Sequence, residues 1–158
     1  MSLKRKIRVF YIEDSEICSL MIDHKLRDLA DFNIYSFTSA EAAFKDLYFQ
    51  PDVVVLDYNL PGMNGLQATR KFKQLYPELP IIILSGQNNI DVTIDLMRAG
   101  ACEYMSKKNF SIIELHEKIC RVNEKKQFEM AQNRFKINKS LLVLFLVLII
   151  AGIIWYKF

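Results

Sequence analysis

Residues 53–65 read Val53-Val54-Val55-Leu56-Asp57-Tyr58-Asn59-Leu60-Pro61-Gly62-Met63-Asn64-Gly65, and this stretch decides the fold. Four consecutive apolar residues, three of them β-branched, describe a strand buried on both faces, as in the middle of a parallel sheet. The run stops on one carboxylate, Asp57, and breaks into a loop marked by Pro61, Gly62 and Gly65. Open α/β sheets bind and transform ligands at the carboxyl ends of their strands. Asp57 is therefore the first candidate for the chemistry.

Working outward, residues 7–12 form an apolar strand that runs into Glu13-Asp14, and Ser15 caps a helix over residues 16–29. A short aromatic strand covers 33–37, Ser39 caps a second helix ending near Phe49, and Pro51 turns the chain into the 53–57 strand. A third helix follows from about Gly65 to Tyr76, then a strand at 81–84 and a fourth helix over 90–98, closed by Gly100 as a left-handed cap. The fifth strand, 103–105, leads to Ser106-Lys107, and Ser111 opens a helix carrying Ile112, Leu115, Ile119 and Val122 at three-to-four-residue spacing. Five strands alternating with five helices predict a doubly wound, five-stranded parallel α/β sheet.

Residues 1–120 carry 14 Lys+Arg against 16 Asp+Glu, a net of −2, so the globular part is slightly acidic. Residues 121–139 carry a net of +4, packed just before an apolar block. That placement suits a membrane flank better than a nucleic-acid surface. The three cysteines show no C-x-x-C spacing and read as reduced thiols of a cytosolic domain. His24 and His116 have no second ligand at metal spacing, and Ile17 and Met21 fit either the core or a docking face of the first helix.

A parallel sheet brings the ends of its strands to one edge, so Glu13, Asp14, Asp57, Ser85 and Lys107 converge although they lie far apart in sequence. Three carboxylates in one place repel each other and rise in pKa unless a cation sits among them. An all-oxygen donor set describes a Mg²⁺ site better than zinc or copper. A carboxylate can also act as a nucleophile and form an aspartyl-phosphate. A Lys ammonium then neutralises charge on the transferred phosphoryl group, and a Ser hydroxyl can bond one of its oxygens.

Taken together and in order, Glu13-Asp14, Asp57 with Pro61 and Gly65, Ser85-Gly86 and Tyr104-x-x-Lys107 resemble the receiver domain of two-component response regulators over about residues 5–125. The resemblance implies a flavodoxin-like fold in which Asp57 accepts a phosphoryl group from a histidine kinase or a histidine phosphotransfer protein. It implies Mg²⁺ held by Glu13, Asp14, Asp57 and the backbone carbonyl of Asn59. By it, Lys107 pairs with the phosphoryl group, Ser85 moves toward it, and Tyr104 swings inward as a switch. Asn59 and Gln87 fall at positions that modulate water access and phosphoryl lifetime. One departure stands out: most receivers place Pro after the matched Lys, often with a cis peptide, and this chain has Lys108.

Two rival classes share parts of this pattern. A flavin carrier of the same architecture wants a phosphate-binding first loop, which Glu13-Asp14 would repel. A phosphatase with an aspartyl nucleophile wants an acid two residues after it, where this chain has Asn59. The expectation is a switch, with self-phosphotransfer and autodephosphorylation only, and not an enzyme acting on an external substrate.

Residues 141–156, LLVLFLVLIIAGIIWY, are sixteen residues without a charge. As a helix they span about 24 Å against a hydrocarbon core of roughly 30 Å. Lys139 and Lys157 can snorkel, and Trp155-Tyr156 suits an interface. The expected organisation is a receiver over 5–125, a basic juxtamembrane stretch over 126–139 and a single-pass anchor over 140–157. The N-terminus is placed in the cytoplasm by the positive flank. The residues after 125 leave no room for a helix-turn-helix, so a stand-alone receiver without nucleic-acid contact is expected. Phe128, Ala131 and Phe135 keep helical spacing, which fits a dimer seam or, equally, an amphipathic helix lying on the lipid. Phosphorylation-dependent homodimerisation, an effector-binding surface and a phosphate sink that drains a kinase are the three outputs considered.

Overall fold

In a computed structural model of the chain, the described residues are 5–29, 32–87 and 89–157, with the side chains of 138, 140, 141, 143, 144, 146–148 and 150–157 left aside. They form β1 (Ile7–Ile12), α1 (Glu16–Leu29), β2 (Phe32–Phe37), α2 (Ala40–Lys45), β3 (Val53–Asp57), α3 (Gly65–Leu75), β4 (Ile81–Ser85), α4 (Ile90–Arg98), β5 (Glu103–Ser106) and α5 (Ile112–Lys157). Short 3₁₀ turns cover Leu47–Phe49 and Lys107–Asn109. The sheet runs β2-β1-β3-β4-β5, and every pair is parallel. The chain departs to opposite sides of β1 to build β2 and β3, so the strand order reverses between β1 and β3.

Period-two alternation sends the strands' side chains into two apolar layers. Val9, Tyr11, Val53, Val55, Ile82, Leu84 and Met105 pack with Ile22 and Leu26 of α1 and Leu115, Ile119 and Val122 of α5. Phe10, Ile12, Val54, Leu56, Ile81 and Ile83 pack with Ala40 and Ala43 of α2, Ala68 and Phe72 of α3 and Leu96 of α4. Helices on both faces of β3 explain why its residues are apolar without alternation.

The expected caps are present: Ser39 accepts from the Ala42 N–H, Ser111 from the Glu114 N–H, and Gly100 after α4 has φ 102°. Ile17 is 82% exposed and Met21 43% exposed, so neither belongs to the core. The second helix stops four residues short of expectation, at Lys45. Pro51 disfavours helical backbone at the residue before it, and Gln50 adopts φ 51°. Residues 47–49 tighten into the 3₁₀ turn instead, which stacks the Phe49 ring on Tyr35 with centroids 4.8 Å apart.

The chain divides into two compact units, residues 1–124 and 125–158, and α5 supplies residues to both. In the second unit Phe128, Phe135 and Ile137 are exposed, and Lys125 pairs with Glu129 one turn on. Among the described residues no helix is long and apolar enough to cross a membrane. Most side chains of the 141–156 block lie outside the described residues.

Candidate functional site

Register delivers the acids. Ile12 of β1 lies beside Leu56 of β3, so Glu13 and Asp57 each leave the sheet at the same level. Asp57 in turn lies beside Leu84, and Ser85 beside Ser106, which places the hydroxyl and Lys107 one step further along the same edge. Glu13, Asp14 and Asp57 offer carboxylate oxygens that all lie within 4.8 Å of one another. Glu13 and Asp57 are buried, and Asp14 is exposed at the mouth.

The Lys107 ammonium, expected to face a phosphoryl group, sits among these acids instead. Its Nζ lies 2.5 Å from Glu13 Oε2 and 2.9 Å from Asp57 Oδ2. Burial alone would lower the Lys107 pKa, but hydrogen bonds to Glu13 and Asp57 and their charges outweigh it, so the pKa lies above the ordinary lysine value. The other oxygen of Asp57, Oδ1, is buried without a hydrogen-bond partner among the described residues. An orphaned carboxylate oxygen beside two further acids is a donor set that fits a hard divalent cation such as Mg²⁺.

The remaining predicted residues form a second group beside this cluster. Ser85 is fully buried, and its hydroxyl accepts from the Gln87 N–H at 3.1 Å. The Gln87 side chain donates through Nε2 to Asn59 Oδ1 at 3.2 Å, linking the loops after β3 and β4. The Tyr104 hydroxyl donates to the Gln87 carbonyl, with its half-buried ring against the α2–α3–α4 layer. Gln87 thus joins Ser85, Asn59 and Tyr104. No peptide bond among the described residues is cis, so Lys107 and Lys108 are joined in trans.

The loop after β3 is held at both ends. Asn64 and Gln67 form a reciprocal capping box at the start of α3. Glu41 Oε1 accepts from the Met63 N–H at 2.9 Å. A Cβ on Gly65 would stand 2.7 Å from Tyr58 Cα and 2.9 Å from the Asp57 carbonyl oxygen, so only glycine lets α3 begin that close to β3.

Sequence reasoning missed Tyr11. Its hydroxyl donates to Glu13 Oε2 at 3.3 Å from a buried ring, and burial together with the Glu13 charge pushes its pKa well above the usual tyrosine value. The available signal was spacing: Tyr11 stands two residues before Glu13, which puts both on one side of the strand line.

Comparison with known proteins agrees with this geometry. The family model described as the response regulator receiver domain matches residues 9–120. The chain is 36% identical over 110 residues to a protein-glutamate methylesterase/protein-glutamine glutaminase of Paramagnetospirillum magneticum, covering 66% of this chain and 31% of that protein. It is 33% identical over 115 residues to the cell cycle transcriptional regulator CtrA of Caulobacter vibrioides, covering 70% and 49%. This chain therefore spans about half or less of these relatives' lengths. Among solved structures, the BeF3-activated receiver domain of DrrB superposes with a TM-score of 0.69 at 25% identity, covering 75% of this chain and 98% of that one. The response regulator domain of Thermotoga maritima CheB superposes at 0.67 and 26% identity, covering 76% and 98%. A matched family model over most of the chain, on a 2-1-3-4-5 sheet with its acids and lysine at the carboxyl edge, makes this protein a member of the response regulator receiver domain family.

Proposed function

We propose that the protein is a phospho-aspartyl switch in which Asp57 takes a phosphoryl group from a phosphohistidine on a histidine kinase or phosphotransfer protein. The observation that carries this reading is the shared ammonium: Lys107 bridges Glu13 and Asp57 while Asp57 Oδ1 is left without a partner. In the transfer an Asp57 carboxylate oxygen forms a bond to phosphorus, the P–N bond of the donor breaks, and the freed imidazole nitrogen takes a proton. Glu13, Asp14, Asp57 and the Asn59 carbonyl would hold Mg²⁺, which supplies charge neutralisation for the phosphoryl oxygens when bound. Lys107 follows the charge from the carboxylate to the phosphoryl group. The Ser85 hydroxyl turns from Gln87 toward it, and the Tyr104–Gln87 hydrogen bond carries the change to the surface formed by α4, β5 and α5. The Asn59–Gln87 hydrogen bond screens the site from water and so sets the lifetime of the phosphoryl group.

The uncharged 141–156 run, helical in backbone, supports a single-pass anchor with the receiver on the cytoplasmic face of the membrane. Phe128 and Phe135, 64% and 82% exposed, support self-association through the second unit as the output. Incubation with Mg²⁺ and a small phosphodonor tests the central reading. The wild-type chain gains one phosphoryl group by intact mass and D57N gains none; labelling of D57N at the wild-type level would sink the assignment.

A further inference from the structure

Tyr11 brings a hydroxyl into a layer made otherwise of Val, Ile, Leu, Met and Phe side chains from the neighbouring strands and helices. Its ring is 1% exposed, so packing alone would be served as well by Phe. The hydroxyl reaches Glu13 Oε2 at 3.3 Å, the same oxygen that takes the Lys107 ammonium at 2.5 Å. Glu13 Oε2 therefore has two donors of different kinds. One is charged and shared with Asp57; the other is neutral and fixed in the core.

The two donors have different fates if Lys107 pairs with a phosphoryl group on Asp57, the reading above on which this inference rests. The ammonium that serves Glu13 must then serve the phosphoryl oxygens as well, so Glu13 Oε2 loses part of its charged donor and keeps Tyr11, while the Glu13 carboxylate would also face Mg²⁺. A buried acceptor that loses its donor resists the change that removes it. Tyr11 cannot leave, because its ring is enclosed on all sides. We propose that Tyr11 is a positioning residue that holds Glu13 Oε2 in place and hydrogen-bonded while Lys107 turns from Glu13 to the phosphoryl group.

A role in switching differs from a role in packing in what Y11F changes. The test uses the full-length chain, beryllofluoride in saturating Mg²⁺ as the probe of the phosphorylated state, calorimetry for its affinity, and the urea midpoint without ligand for stability. Because Lys107 still serves Glu13 in the unmodified protein, Y11F should keep the wild-type urea midpoint and bind beryllofluoride about tenfold more weakly, the size of one buried hydrogen bond. Equal affinity in the two proteins would overturn the proposal. A lowered midpoint with unchanged affinity, or a Y11F chain that does not fold, would make Tyr11 a core residue and overturn it too. Failure of the wild-type chain itself to bind beryllofluoride would remove the phosphoacceptor reading first, and the inference with it.

Discussion

The Lys107 ammonium lies 2.5 Å from Glu13 Oε2, an ion pair that ties the end of β5 to the end of β1 across β3 and β4. Lys107 is the shared counter-charge of two buried carboxylates. Its replacement by Met leaves Glu13 and Asp57 facing each other without compensation. Without Mg²⁺, K107M should lose about 1–3 kcal/mol of stability in urea unfolding, and D57N in that background should restore part of it. The Lys107 pKa is raised above 10.5, so its contribution is complete below that value and disappears as pH climbs through the folded-state pKa. The difference between wild type and K107M should be flat from neutrality to about pH 10 and shrink beyond it. A K107M chain as stable as wild type at pH 7 would remove the ion pair from the energetics.

Acid stability should depend on a different residue. Glu103 accepts from Lys118 at 2.8 Å and Arg121 at 2.6 Å, fastening β5 to α5. Burial raises its pKa, but the two cations outweigh that, and the pKa falls below 4.5. A depressed carboxylate stabilises above its unfolded pKa and loses that contribution as pH drops through its folded one. E103Q should therefore be less stable than wild type at pH 7 and should converge on it below about pH 4.5. Parallel stability curves from pH 7 to pH 3 would contradict this.

Gly65 is the residue least able to accept a methyl group near the site. A Cβ there meets backbone on β3 and the following residue, not a side chain that can move aside. G65A should cost about 1–3 kcal/mol by overpacking. By pushing on Tyr58 and so on the Asn59 carbonyl that would hold Mg²⁺, it should also slow Mg²⁺-dependent labelling by a small phosphodonor. Wild-type stability and labelling together would show that α3 can shift freely.

The second unit should separate two properties. Removal of residues 140–158 should move the protein from the membrane to the soluble fraction, and a wild-type chain already in the soluble fraction would end the anchor reading. F128A/F135A in the full chain should leave the protein in the membrane fraction. It should abolish any dimer that beryllofluoride and Mg²⁺ induce in lipid.

What could be read from the sequence follows from physical range. Val53–Leu56 announced a doubly covered strand because burial on two faces leaves a one-dimensional mark. The acids at the ends of β1 and β3 were legible for the same reason: parallel strands share an edge whatever their separation in the chain. Lys107 was expected to serve a phosphoryl group, yet its bond to Glu13 joins residues 94 positions apart, and no periodicity encodes that reach. The Glu41–Met63 hydrogen bond and the Gln87 junction were hidden likewise. The second helix ends at Lys45 and not near Phe49, since the restriction that Pro51 places on Gln50 favours a 3₁₀ turn before it over further α-helix.

The apolar run before Asp57 works as a ruler. Each apolar residue of β3 is assigned to one of two sealed layers, and its neighbours on both sides fix its height. A slip of one residue would move the carboxylate by about 3.3 Å and exchange every side chain between the layers. The position of Asp57 is thus measured from the far end of the strand and not from the loop that follows it. The loop is then fastened from its other end, by Gly65 against β3, the Asn64–Gln67 capping box and the Glu41–Met63 hydrogen bond, so strand and loop are anchored by separate means.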